Sequence, residues 1–378
     1  MSVEAYEVLA QYLKYPPSRF YDPDMALMND VWLPYTESGR IIVDRKTFQQ
    51  DHYRSVAMVN NVPNLNPSTC PPYLVGFSLS RKGWCRFFVD LIEEVKWNDT
   101  VWNSLILPED QKLVIRALVS SHHFPENSRN QPDQEGKGLV ILLHGSPGSG
   151  KTLTAEVAAE GRRTALISAT MGDLNSENNP YAFEAEVRRV MRYATQWHAV
   201  LLLDEADIFL EAREEKAGNV ERNALVAVFL KHLEYFSGLV FLTTNRLASF
   251  DMAMNSRIHL ALGYSPPDIK TREKLWIRCI QKLPEEETNF GELNDAITNV
   301  LEHKLNGREI SNAINTARTI ARFEGHKLEM GHIEQVLKIK LDFQKVLHSE
   351  NRKVTLSQGS RALVRTGSIV DEPETYIS

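Results

Sequence analysis

Residues 145–152 read Gly145-Ser146-Pro147-Gly148-Ser149-Gly150-Lys151-Thr152, directly after the apolar run Leu139-Val140-Ile141-Leu142-Leu143. The spacing fits a phosphate-binding loop entered from a buried strand. Glycines let such a backbone curl so that its N–H groups converge on phosphate oxygens. Thr152 to Glu160 has helical composition, and a helix starting there offers its positive N-terminus to the same anion. Lys151 is then expected to reach the β- and γ-phosphates of ATP, and the Thr152 hydroxyl to ligate Mg²⁺. A flexible Gly/Ser turn is the alternative for the octapeptide alone. The strand before it and the helix after it argue against that.

A second run, Ala199-Val200-Leu201-Leu202-Leu203, ends in Asp204-Glu205. Apolar residues at every position suit a strand buried on both faces of a parallel sheet. Ligands of such sheets bind beyond the carboxyl ends of the strands, which puts the acid pair beside the loop. Asp204 is expected to hold Mg²⁺ through water, and Glu205 to polarise the attacking water as general base. An acidic strand end capping the next helix is the plainer alternative. Leu239-Val240-Phe241-Leu242-Thr243-Thr244-Asn245 is a third such strand, ending in an amide at the same layer. Asn245 is expected to orient the lytic water, unless it simply occupies a turn.

With these stretches the chain resembles the AAA ATPases of the AAA+ superfamily. The matching residues are the loop, Leu201-Leu202-Leu203-Asp204-Glu205-Ala206-Asp207, Thr243-Thr244-Asn245-Arg246, Ser256-Arg257-Ile258 and Asn306-Gly307-Arg308-Glu309-Ile310. It is more closely similar to a fungal-type subgroup of unassigned role. That likeness runs through Gly76-Phe77-Ser78-Leu79, Gly83-Trp84, Glu221-Arg222-Asn223-Ala224-Leu225-Val226 and Leu233-Glu234-Tyr235. The resemblance covers about residues 73–345. It implies that Asn245 is the sensor-1 residue, Arg257 an arginine finger reaching a neighbouring subunit's site, and Arg308 the sensor-2 arginine of a helical lid. A guanidinium suits charge building on phosphoryl oxygens because its donor fork is rigid. Without the resemblance, Arg257 reads as a solvated arginine and Arg308 as a helix-start residue.

The implied fold is a P-loop three-layer α/β domain with a parallel sheet, a C-terminal all-helical lid and a small N-terminal region. The expected division is residues 1–75 as N-terminal region with a Pro-rich linker, 76–130 as a connector packed on the ATPase, 131–265 as the ATP-binding domain and 266–346 as the lid. Residues 347–378 read as a disordered tail. Within this scheme Glu4 to Tyr15 has apolar spacing suited to a short helix. Ile41 to Val43 suits a strand, and Pro108-Glu109-Asp110 opens a helix. Strand Thr164–Ala169 and helices over 181–197 and 219–235 follow. In the fungal-type group the N-terminal region is generally longer, so this chain is expected to carry its last part.

The net charge of −6 argues against a dominant nucleic-acid surface. Trp84, Trp97 and Trp102 therefore read as packing aromatics rather than base-stacking ones. Three scattered cysteines read as reduced thiols in a cytoplasmic setting. The sequence has no run approaching a membrane span, and its N-terminus lacks a basic, apolar signal pattern. The segment Met171 to Tyr181 holds no aromatic-x-Gly pore motif. Tyr181 there grips a substrate or packs at a helix start, and the charged run 211–218 is a solvated or substrate-facing loop. Glu309 pairs with Arg308 or favours its helix N-terminus.

The expected protein is an ATP-hydrolysing homo-oligomeric ring, a hexamer being one form, that remodels a macromolecular client, in the first place a protein. An ATP-dependent scaffold with little turnover is the alternative. A small-molecule phosphotransferase is disfavoured because no acceptor motif appears.

Overall fold

The computed structural model describes residues 4–8, 11–14, 32–35, 39–52, 72–123, 138–175, 179–207, 220–246, 252–343 and 345. The Pro-rich stretch before residue 72, the charged run 211–218 and the tail 347–378 lie outside the described residues. Contacts divide the chain into two units, Met1–Pro266 and Pro267–Ser378.

The first unit opens with a seven-stranded sheet whose neighbouring strands all pair antiparallel. Its strands are β1 (Glu4–Val8), β2 (Gln11–Lys14), β3 (Trp32–Tyr35), β4 (Gly39–Val43), β5 (Tyr73–Ser78), β6 (Gly83–Phe88) and β7 (Ile92–Glu94). The order is β3-β2-β6-β5-β4-β1-β7. The helix expected over Glu4 to Tyr15 is instead the pair β1 and β2. Tyr6 sits opposite Ile41 on one side and Glu94 on the other. Pairing on both edges overrides a weak helical pattern, and Tyr and Val suit strands. The expected boundary at residue 75 runs through β5, so strands from both sides of it share one sheet.

Helix α1 (Arg45–Asp51) clamps this sheet to the rest of the unit. At its start the Asp44 carboxylate accepts from the backbone N–H of Lys46 and Thr47 and from Trp197 Nε1 at 2.9 Å. At its end Asp51 accepts from the Tyr193 hydroxyl, from Arg192 and from Trp84 Nε1 at 3.2 Å. Burial pushes both carboxyls up, but these donors outweigh it and hold both below the ordinary aspartate range. Phe77, Trp84, Tyr193 and Trp197 stack edge and face around the helix, so Trp84 packs rather than presenting a ring to solvent.

The next stretch carries α2 (Glu109–Ser121), opened by Pro108 with two acids in its first turn. Five parallel strands then build a second sheet in the order β12-β8-β11-β10-β9. They are β8 (Leu139–Gly145), β9 (Leu166–Thr170), β10 (Val200–Asp204), β11 (Leu239–Thr244) and β12 (Leu260–Tyr264). The helices between them are α3 (Lys151–Arg162), α4 (Met171–Leu174), α5 (Pro180–Gln196), α6 (Val220–Glu234) and α7 (Met252–Asn255). Every residue of β11 is buried, the four apolar ones and the two threonines that end it, as in a strand covered on both faces. Trp102 lies against Gly161 of α3, where a Cβ would come within 2.2 Å of its indole Nε1. Arg40 of β4 reaches Glu160 at 2.6 Å, so α3 is tied to both the connector and the N-terminal sheet.

The second unit is helical: α8 (Ile269–Gln281), α9 (Phe290–Ala296), α10 (Gly307–Glu324) and α11 (residues 330–343). Trp276, Ile280, Ile310, Ile314, Leu328 and Ile333 form its core. Arg322 and Arg318 bond Glu287 and bring its carboxyl down to about 2.

Candidate nucleotide-binding site

The octapeptide forms the turn between β8 and α3. Gly150 caps α3 with φ of +101°, a conformation a side chain resists. Gly145 has φ of +148°, and a Cβ there would sit 2.3 Å from the Tyr264 carbonyl oxygen. No side chain caps the start of α3, so its first N–H groups remain as anion donors. The Ser149 hydroxyl is buried and has no hydrogen-bond partner among the described residues. An orphaned donor inside a curled loop fits an oxyanion ligand. Lys151, buried within the turn, donates from Nζ to the carbonyls of Gly145 and Ser146 and to Asn245 Oδ1, each at 2.9 Å. His144 stands just before, its ring held low on the pKa scale by burial and by the Lys151 charge. Ser146, Pro147 and Gly148 complete the turn, Gly148 with φ of +73°.

The ends of β10 and β11 meet this loop. Thr152 Oγ1 donates to Asp204 Oδ2 at 3.1 Å. The other Asp204 oxygen accepts from Thr243 Oγ1, which itself accepts from the Glu205 N–H at 3.0 Å. Glu205 is exposed and takes φ of +56°, left-handed for a residue with a Cβ. Asp207 accepts from the Asn245 N–H at 3.1 Å and from the Thr244 hydroxyl. Thr243, Thr244 and Asp207 thus hold the two strand ends in register. Their signal in the sequence is polarity at the end of an otherwise apolar run. The Thr152 hydroxyl and Asp204 carboxylate offer adjacent hard oxygens, a donor set that fits Mg²⁺.

Arg257 lies elsewhere. His259, two residues on, donates its N–H to the Val140 carbonyl at 2.9 Å, at the start of β8. Arg257 therefore sits at the opposite end of the strands from Lys151, about 20 Å away for a seven-residue strand. It bonds Glu234 Oε2 at 2.7 Å. Arg308 belongs to the second unit, exposed in the first turn of α10. Glu309 does not pair with it: it closes a capping box with Asn306 and bonds Lys340 at 3.0 Å. Tyr181 is 84% exposed, which overturns the packing alternative. In the second unit Glu324, His326 and His332 gather their ligand atoms within 4.8 Å. His332 Nδ1 accepts from the Glu329 N–H, which leaves Nε2 to donate to Glu324 at 3.1 Å and gives a cation no lone pair there. Among the described residues no helix is long and apolar enough to cross a membrane.

The family described as "ATPase family associated with various cellular activities (AAA)" matches residues 141–264. The "Fungal AAA+ ATPase lid domain" matches residues 268–354. Human ATPase family AAA domain-containing protein 3B is 32% identical over 154 residues, 39% of this chain and 23% of that protein. The mitochondrial ATP-dependent zinc metalloprotease FTSH 3 of Arabidopsis thaliana is 30% identical over 236 residues, 59% and 28% of the respective chains. Spastin of Drosophila grimshawi is 29% identical over 199 residues, 50% and 24%. The chain spans about a quarter of the length of these relatives. A phosphate loop on a five-stranded parallel sheet, followed directly by a fungal AAA+ lid, makes this chain a member of the AAA ATPase family.

Proposed function

We propose that the chain hydrolyses ATP in a ring of its own copies and uses the cycle to remodel a macromolecular partner. The observation that carries this is the convergence of Lys151, Thr152, Asp204, Glu205 and Asn245 at the carboxyl ends of β8, β10 and β11, where hydrogen bonds join Lys151 to Asn245, Thr152 to Asp204 and, through Thr243, Asp204 to Glu205. Phosphate oxygens compete with the Gly145 and Ser146 carbonyls for the Lys151 ammonium, and a doubly charged group outcompetes neutral carbonyls. The loop N–H groups and the Ser149 hydroxyl complete the cradle. Thr152 and Asp204 hold Mg²⁺, which when bound neutralises charge on the phosphate oxygens. Glu205 takes a proton from the attacking water, and the Asn245 amide orients that water. Arg257 serves the neighbour's site, because its own loop lies at the far end of the strands. Arg308 acts as the lid's sensor. The exposed Tyr181 ring is a contact for the client, by its availability rather than by a motif.

Glu205→Gln tests the reading. It keeps ATP binding and lowers phosphate release about 10²–10⁴-fold, the usual worth of a general base. Unchanged turnover removes Glu205 from this role. Light scattering with ATP alongside the same assay separates the scaffold alternative, which assembles on ATP but releases no phosphate in the unaltered chain either.

A further inference from the structure

Glu234 closes α6, and its carboxylate holds Arg257 within the same protomer at 2.7 Å. An acid at the last residue of a helix faces the negative end of the macrodipole, so the position is unfavourable until a cation sits beside it. Arg257 supplies that cation. The pair is partly open to solvent, with side chains 26% and 43% exposed. It borders a cavity of about 360 Å³ that reaches to Gly138 and Phe236, which gives the guanidinium room to swing.

We propose that Glu234 is a positioning residue that parks Arg257 in its own protomer until a neighbour's triphosphate draws it away; this rests on the reading of Arg257 given above. A guanidinium drawn across the junction to a neighbour's phosphates leaves the reach of Glu234, so on this proposal formation of the junction breaks the Glu234 contact. An exposed ion pair shifts an equilibrium by about five-fold at most, so Glu234 is a weak holder that a phosphate displaces. Its effect is to set the protein concentration at which junctions form, rather than the rate once they have formed.

The test is ATP turnover per protomer as a function of protein concentration, on the full chain, for the unaltered protein and for Glu234→Gln, Glu234→Asp and Arg257→Ala. Glu234→Gln reaches half its maximal rate at a concentration about two- to five-fold lower than the unaltered chain. Glu234→Asp, which keeps the charge, lies between them. Arg257→Ala loses turnover at every concentration. A Glu234→Gln curve that coincides with the unaltered one, or moves to higher concentration, while Arg257→Ala stays inactive overturns the parking role and leaves the arginine's role standing. An Arg257→Ala variant that turns over normally overturns both.

Discussion

Thr243 shows how a residue without chemistry of its own sets the geometry of those that have it. Its hydroxyl donates to Asp204 and accepts from the N–H of Glu205, whose left-handed backbone needs such an anchor. Thr243→Val keeps the shape and removes both bonds. It is expected to lower kcat about ten-fold, the equivalent of one or two hydrogen bonds, while the Kd for ATP changes less. Steady-state phosphate release and nucleotide titration check this, and a kcat equal to that of the unaltered chain sinks it. The loop and the acid pair were legible because each is a local pattern with a fixed spacing. Thr243 was not, because its partners lie 38 and 39 residues away and meet it only through the parallel register of β10 and β11. The Asn306–Glu309 capping box was half legible: the sequence showed the acid but left its partner open.

At the scale of elements, α3 is the part that couples the loop to everything N-terminal of it. Lys151 opens it, Glu160 near its end takes Arg40, and Gly161 accepts the Trp102 indole. Ala normally stabilises a helix over Gly by about 1 kcal/mol. At Gly161 the added methyl meets a ring held in place rather than a flexible chain end. Overpacking costs about 1–3 kcal/mol, so Gly161→Ala is expected to lower the Tm despite its better helix propensity. A rise in the melting temperature refutes the contact. The central strands β8, β10 and β11 followed from apolar runs alone, whereas the edge strand β12, only partly buried, was not picked out. The N-terminal sheet did not follow from such runs either. β1 and β2 are short and their apolar spacing fits a helix as well as a strand, and their pairing is with segments as far off as β7. The same sheet is locked to α5 through Asp44 and Asp51, contacts among residues about 140–150 apart that no local pattern reveals.

For the whole molecule, the loop and Arg257 occupy opposite ends of the same strands. On the function proposed above, a protomer built this way would offer its loop to one neighbour and its arginine to another, a head-to-tail arrangement. Mixing Glu205→Gln with Arg257→Ala chains, each inactive alone, is then expected to restore part of the turnover. Roughly a quarter of the junctions in a random mixture pair an unaltered Glu205 with an unaltered Arg257. A mixture as inactive as its parts counts against the shared site.

The strand polarity also has an arithmetic. On the proposed reading, copies stacked in an open row would complete one junction fewer than the number of copies, since the terminal loop would receive no guanidinium from beyond it. Bending the row until its ends touch would then create one more working junction without adding any protein, so closure itself would raise activity per molecule. That gain is largest, in proportion, for the shortest rows that can close.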